Sequence, residues 1–279
     1  MISLFFIYYN RSYSIIYHRK IRLTVNIVAF MKIVAVSDLH GNLPDLPPCD
    51  VVCICGDIVP LWVQKSFEKS ISWLAGPFQN WALNLQCEKV IMIWGNHDFI
   101  GERLYKYGAN INNDPQWYSG MSGKAQAEFL FMNDEDGKIR ILCDEKYEYN
   151  NKVFYGTSWC PSLKSWAFYA DSDTLKEKFS KIPYETHVLL THCPPKYGQQ
   201  GIVLQQQNWN FGRDFGCEEL QEAINKTFML KSSTTHILSG HIHSGNHQVE
   251  TLGGFIYRNV SIKNEDYEVT YQPFIFELH

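Results

Sequence analysis

The chain has 279 residues, a formal charge of −4, and 45% hydrophobic and 15% aromatic residues, an ordinary soluble composition with enough length to bury a full core. No Lys/Arg-rich run stands out, which excludes a basic nucleic-acid footprint while leaving room for a phosphate-bearing substrate neutralised by bound cations. Residues 2–9 are apolar but far short of the about 20 residues that a membrane helix needs. The charged stretch of His18, Arg19, Lys20 and Arg22 follows them, the reverse of a signal peptide.

In chain order, residues 1–30 are expected to be a weakly ordered extension, with Met31 opening the folded domain. Residues 33–36 form a short, mostly β-branched run that predicts a strand buried on both faces. Behind it stand Asp38 and His40, an oxygen and a nitrogen ligand at the sheet edge where ligands collect. Pro44, Pro47 and Pro48 make the next connection turn-rich. The strand over 51–55 stops at Gly56 and Asp57. Residues 65–86 have helical composition broken near Gly76 and Pro77, which predicts two helical pieces packing Trp73, Leu74, Trp81 and Leu85 inward. The strand over 90–94 returns in the βαβ sense, favouring a parallel neighbour, and stops at Gly95, Asn96, His97 and Asp98.

Residues 101–123, with Asn110, Asn112, Asn113 and Pro115, read as loop and irregular structure. Residues 139–142, Glu148 and residues 152–155 read as antiparallel strands joined by polar turns that include Asn150 and Asn151. A helix is expected from Asp173 or Thr174 to just before Pro183. The strand over 187–191 leads into His192, and Cys193, Pro194 and Pro195 open a long loop with Gln199, Gln200, Gln205, Gln206, Gln207 and Trp209. Such a loop is ordinarily solvated, and beside a ligand edge it often carries specificity. A short helix over 218–224 precedes the strand over 235–239, which ends in Gly240, His241, Ile242 and His243. Residues 255–260 and 274–278 alternate as closing strands. No linker or repeat divides the chain, so one domain is expected over 31–279.

The eight cysteines (Cys49, Cys53, Cys55, Cys87, Cys143, Cys160, Cys193 and Cys217) form no Cys-x-x-Cys, and several lie inside apolar runs. They read as reduced thiols of a cytoplasmic protein.

Five strand ends thus carry seven candidate metal ligands: Asp38, His40, Asp57, Asn96, His192, His241 and His243. Seven is too many for one catalytic cation and fits two that share a bridging carboxylate, about 4 Å apart and able to clamp both ends of a phosphoryl displacement. Imidazole, carboxylate and amide donors without thiolate point to Mn, Fe or Zn. Water between two cations loses a proton near neutral pH and becomes a nucleophile. A lone histidine is more often structural, and that reading is kept for His18, His187, His236, His247 and His279. Trp159 and Trp209 read as packing residues, with lining of a substrate pocket as the alternative for either.

The order Asp-x-His, Gly-Asp, Gly-Asn-His-Asp, His and Gly-His-x-His, over residues 34–243, resembles the calcineurin-like metallophosphoesterase superfamily. Residues 156–159, then Thr191, His192, Cys193, Pro194 and Pro195, and later Asn259, Val260 and Ser261 resemble its class III cyclic-nucleotide-phosphodiesterase-like and MPPED-type subgroup. The resemblance implies an α/β fold, a four-layer α/β/β/α sandwich of two mixed sheets with the metal site at the strand C-terminal edge. It implies that Asp38, His40 and His243 hold one metal, that Asn96, His192 and His241 hold a second, and that Asp57 bridges them. His97 would protonate the leaving oxygen or stabilise its charge, with Asp98 orienting it. The Asp-Arg-Gly of the superfamily's protein phosphatases is missing, since Asp57 runs into Ile58, Val59, Pro60 and Leu61, and this argues against phosphoprotein substrates. No sequence remains for the extra DNA-facing domain of nuclease relatives. The implied function is hydrolysis of small phosphate esters, foremost phosphodiesters such as cyclic nucleotides. The alternatives are a phosphomonoesterase or a non-catalytic scaffold, the latter disfavoured by an undamaged ligand set.

Overall fold

A computed structural model describes residues 14–16, 22–24, 30–107, 137–161, 164–252 and 254–279. Within the first thirty residues, β1 (Ser14–Ile16) pairs antiparallel with β2 (Arg22–Thr24). The expected weak order of that extension, and His18 with it, otherwise falls outside the described residues.

The short β-branched runs form strands because such side chains fit a pleated surface buried on both faces. β3 (Met31–Val36), β4 (Val51–Cys55) and β5 (Lys89–Ile93) pair in parallel, β6 (Ile139–Ile141) adds a further parallel strand beside β5, and β13 (Phe274–Leu278) closes the other edge antiparallel to β3. A second sheet contains β7 (Glu145–Tyr149), β8 (Lys152–Thr157), β9 (Val188–Thr191), β10 (Thr235–Ser239), β11 (Glu250–Leu252) and β12 (Phe255–Asn259), in the order β11-β12-β10-β9-β8-β7. Its four central strands are parallel and its outermost strand on each side is antiparallel.

The period of two along each strand sorts the side chains into layers. Ile33, Ala35, Cys53, Ile91 and Ile93 share one core with Phe154, Val188, Leu190 and Leu238 between the sheets. The alternate residues Val34, Val36, Val52 and Ile54 join Ile71, Leu74, Phe78 and Ala82 of the helices α1 (Phe67–Trp73) and α2 (Gln79–Asn84) and the turn between them. Tyr155, Leu189, Ile237 and Tyr257 of the second sheet likewise cluster with residues of later helices, among them Leu175, Phe179, Leu220 and Ile224. Helices cover the outer face of each sheet, which gives the four-layer α/β/β/α sandwich. Each large aliphatic side chain buried in this way contributes about 1.5–3 kcal/mol.

The two helical pieces expected on either side of Gly76 and Pro77 are α1 and α2. Gly76 and Pro77 sit in a wide π turn, Leu74–Phe78, that joins α1 to α2, because Pro77 has no N–H for the carbonyl four residues back. Leu74 is fully buried, whereas Trp73, Trp81 and Leu85 pack half-buried against the core. The expectation of irregular structure from residue 101 is corrected for residues 101–107. These belong to α3 (Phe99–Tyr107), and Gly101 lets that helix lie directly on the Trp94 indole. Residues 108–123 lie outside the described residues.

Residues 139–142 are corrected as well. The crossover from β5 is long enough to return β6 in parallel to the first sheet, and only β7 and β8 form the antiparallel hairpin. That hairpin turns at Asn150 (φ 49°) and Asn151 (φ 60°), the left-handed pair of a type I′ turn. α4 (Ser172–Phe179) starts at Asp171, whose Oδ1 accepts the Thr174 N–H at 2.9 Å. α5 (Glu218–Phe228) runs one turn beyond the expected end, which buries Phe228. β12 is an interior strand flanked by β10 and β11, not a closing one. All eight cysteines are free. No helix among the described residues is long and apolar enough to cross a membrane.

Candidate metal centre

The parallel strands of both sheets end at one rim, and the turns that follow hold the polar side chains there under visible backbone strain. Asp38, His40, Asp57 and His241 all have positive φ, between 42° and 66°. Non-glycine residues in that region cost of order 1 kcal/mol each and persist where the surroundings over-determine them. The surroundings here are backbone bonds between turns: Asp38 N–H donates to Gly56 O (3.0 Å), His40 N–H to Asp57 O (2.8 Å) and Gly41 N–H to Ile58 O (2.9 Å). Gly95 and Gly240 are glycines for space, because a Cβ at either would collide with the Asp57 or Asp38 carboxylate.

Asp57 lies at the middle. Its Oδ2 is 3.4 Å from His192 Nε2, 3.6 Å from His40 Nε2 and 3.9 Å from His97 Nε2, while its Oδ1 accepts the His97 N–H at 2.7 Å. Asp38 Oδ1 lies 3.4 Å from His243 Nε2, and both Asp38 oxygens accept the His241 N–H at 3.1 Å. Asn96 Oδ1 stands 2.9 Å from His192 Nε2, and the His192 and His241 ring centroids are 5.1 Å apart. Three groups have ligand atoms within 4.8 Å of one another: Asp38, His40 and His243; His40, Asp57 and His97; and Asp38, Asp57 and His192. The structure therefore brings together all seven candidate ligands, and His97 with them.

Donor chemistry tests whether a cation fits. His192 Nδ1 lies 2.8 Å from Cys55 O and His243 Nδ1 lies 2.8 Å from Asn264 O. A carbonyl accepts only a proton there, so each neutral ring turns its Nε2 lone pair into the site. Lone pairs of His192 and His243 then face oxygen acceptors of Asn96, Asp57 and Asp38, an arrangement that repels unless something positive stands between. Both ring nitrogens of His40 are buried without a hydrogen-bond partner. Imidazole, carboxylate and amide donors converging in this way fit a divalent metal.

The protonation pattern expresses the same demand. Burial opposes charge on His192, yet the Asp57 carboxylate overrides it and pushes the pKa up to about 10, so a proton fills the gap in the protein alone. Burial holds His40 down to about 3 and His241 down to about 3, against the pull of the two carboxylates. Burial also disfavours the Asp57 charge, but the surrounding His192, His97 and His40 hold its carboxyl well below the usual range.

Asp98 does not orient His97, contrary to expectation. Its carboxylate accepts the N–H groups of Ile58 (3.0 Å), Val59 (2.9 Å) and Gly95 (2.8 Å), tying the turn after β4 to the turn after β5. Burial, then the Asp57 charge, raise its pKa to about 7 against those three donors. The partner of the His97 ring is Gln64, whose Oε1 lies 2.6 Å from Nδ1. Sequence reasoning missed Gln64, and it missed Tyr267 and Trp166, whose rings abut those of His40, His97 and His243. No local pattern marks any of the three. The later motif residues brace the ligand loops: Ser158 Oγ accepts the Trp94 N–H at 3.1 Å, and Asn259 Nδ2 donates to Ile242 O at 2.7 Å, between His241 and His243.

Three of the remaining described histidines make other contacts. His187 Nδ1 accepts the Val153 N–H, His236 stacks on Phe276, and His247 Nε2 contacts His243 O. Trp159 is buried with its indole N–H on Asp144. Trp209 is 84% exposed and not a packing residue, because the polar loop carries it away from both cores.

Comparison with known proteins places this geometry. The sequence profile described as calcineurin-like phosphoesterase matches residues 31–245. A UPF0046 protein of Caenorhabditis elegans is 26% identical over 261 residues, which cover 89% of this chain and 60% of the nematode protein. The human protein named metallophosphoesterase domain-containing protein 1 is 24% identical over 252 residues, covering 89% of this chain and 71% of its own length, and the mouse protein of the same name matches equally. This chain thus spans less than two thirds of the nematode relative. The profile match takes in every strand end described above, and the chain belongs to the calcineurin-like phosphoesterases, a family of metal-dependent phosphoesterases.

Proposed function

We propose that the chain is a dinuclear-metal phosphodiesterase acting on small phosphate esters. The observation that carries this reading is the shared Asp57 Oδ2, with His40 on one flank and His192 on the other at 3.6 and 3.4 Å. Asp38, His40 and His243 would hold one cation and Asn96, His192 and His241 the second, with Mn, Fe or Zn suited to these donors. When bound, such cations supply Lewis acidity toward phosphoryl oxygens and lower the pKa of a neighbouring water.

The chain's own residues do the rest. Gln64 occupies His97 Nδ1, so proton exchange with the leaving oxygen is confined to Nε2, on the side that faces Asp57. Asp98 keeps the two turns that carry Asp57 and His97 at fixed separation. Eight free cysteines support a reducing, cytoplasmic setting.

The test compares bis-p-nitrophenyl phosphate with p-nitrophenyl phosphate under added Mn, in wild type, Asn96→Ala and His97→Ala. The expected result is faster turnover of the diester by wild type and a steep loss in both variants. Equal rates in all three proteins discard the assigned site, and preference for the monoester turns the reading into a phosphomonoesterase.

A further inference from the structure

Tyr267 is anomalous in both backbone and position. Its φ is +63°, in the left-handed region that strains a bulky L residue and that glycine enters freely. Backbone and amide bonds hold its turn. Asn264 Oδ1 accepts the N–H groups of Asp266 (3.0 Å) and Glu268 (2.9 Å), the Tyr267 N–H donates to Asn264 O (2.9 Å), and Lys263 Nζ donates to Tyr267 O (2.8 Å). None of these bonds needs a phenol ring at position 267.

The ring meets the metal centre instead. Its centroid is 4.9 Å from that of His40, 5.1 Å from His243 and 6.2 Å from His97, while 39% of the residue stays exposed. Trp166, half-buried on a different loop, has its ring centroid 4.3 Å from that of His97. Two aromatic rings therefore border His97, beside the place where a leaving oxygen departs. A flat, π-rich surface of this kind rewards a planar aromatic partner and gives an alkyl group little. A strained tyrosine that is neither fully buried nor needed by its turn is explained by what it presents to a ligand.

We propose that Tyr267 is a specificity-determining residue which, with Trp166, forms an aromatic wall for a planar aromatic substituent on the phosphate ester. The substrate class narrows to esters carrying such a ring next to the phosphorus. This inference rests on the phosphoesterase reading of the centre, and its test is arranged so that the two fail separately.

Binding is the readout. Phenylphosphonate and methylphosphonate, neither of which contains an ester bond to hydrolyse, are titrated by calorimetry into Mn-supplemented wild type, Tyr267→Phe and Tyr267→Gly. Wild type is expected to bind the phenyl probe about tenfold more tightly than the methyl probe. Tyr267→Phe keeps that preference. Tyr267→Gly loses it. Equal affinity of wild type for the two probes, failure of phenylphosphonate to bind, loss of the preference in Tyr267→Phe, or its survival in Tyr267→Gly overturns the wall. An intact phenyl preference without turnover of bis-p-nitrophenyl phosphate overturns the phosphoesterase reading alone.

Discussion

Two carboxylate clusters in this molecule look alike in composition and differ in what they leave open. Asp144, at a positive φ of 55° just before β7, accepts Thr157 Oγ1 (2.8 Å) and the Trp159 indole N–H (2.8 Å), and its Oδ2 lies 3.1 Å from Lys178 Nζ. Each of those partners brings a proton or a positive charge, so the cluster is electrostatically complete within the chain. Asp57 is also strained and buried, but the atoms around its Oδ2 are imidazole nitrogens of His192, His40 and His97, and the Cys55 carbonyl on Nδ1 of His192 turns the Nε2 of that ring inward. A closed cluster rigidifies the fold, whereas an open one calls for something the chain does not contain.

His236 sharpens the point. Its Nδ1 is buried without a partner, as both nitrogens of His40 are, yet its neighbours are the Phe276 ring and His279 and not carboxylates. An unpartnered imidazole becomes a ligand candidate only beside acceptors that need the same cation.

The comparison breaks most readily at the open cluster. Asp57→Asn should lose bound metal and turnover together, read by elemental analysis and steady-state kinetics. His97→Ala should keep its metal and lose about 10²–10⁴-fold in kcat. Chelation should lower stability by about 4 kcal/mol where free metal had been a thousandfold above its Kd, seen as a fall in Tm that metal restores.

At the closed cluster, Asp144→Ala should cost about 3–4 kcal/mol in chemical denaturation, because it removes the acceptor of two buried donors and the counter-charge of Lys178. Metal content and kcat per folded molecule should stay unchanged. A change in either would mean that the two clusters are not independent.

His236 gives the pH arm. Burial, then the nearby His279, hold its pKa down to about 4, so the folded state refuses a proton that the unfolded state accepts below about 6.5. Its contribution to stability is complete above pH 6.5 and is lost as pH falls toward 4, to a limit of about 3 kcal/mol. His236→Phe, measured in apoprotein by urea denaturation across pH 4–7, should flatten that slope. The smallest effect belongs to the β7–β8 turn, where Asn151→Gly should shift stability by no more than about 0.5 kcal/mol, since both residues tolerate φ +60°.

Most of the candidate metal centre is legible in the sequence. Asp38, His40, Asp57, Asn96, His192, His241 and His243 each follow a short β-branched run, and an open parallel sheet delivers its strand ends to one rim. What was misread has a common cause. Local alternation over residues 139–142 says nothing about which sheet a strand joins, and the adjacency of Asp98 to His97 in sequence says nothing about which groups its carboxylate meets. In the fold Asp98 serves backbone N–H groups some forty residues away.

Sequence by itself determined the identity and order of the candidate ligands, because their chemistry lies in single side chains and their placement in strand endings that local patterning reveals. Tertiary structure alone decided their company. Gln64 reaches His97 across 33 positions, and Asn264 reaches His243 across 21. Tyr267 sits over three imidazoles because a turn far along the chain folds back onto the rim. Contacts of that kind depend on how two sheets pack, and packing is a property of the whole chain that no local stretch encodes.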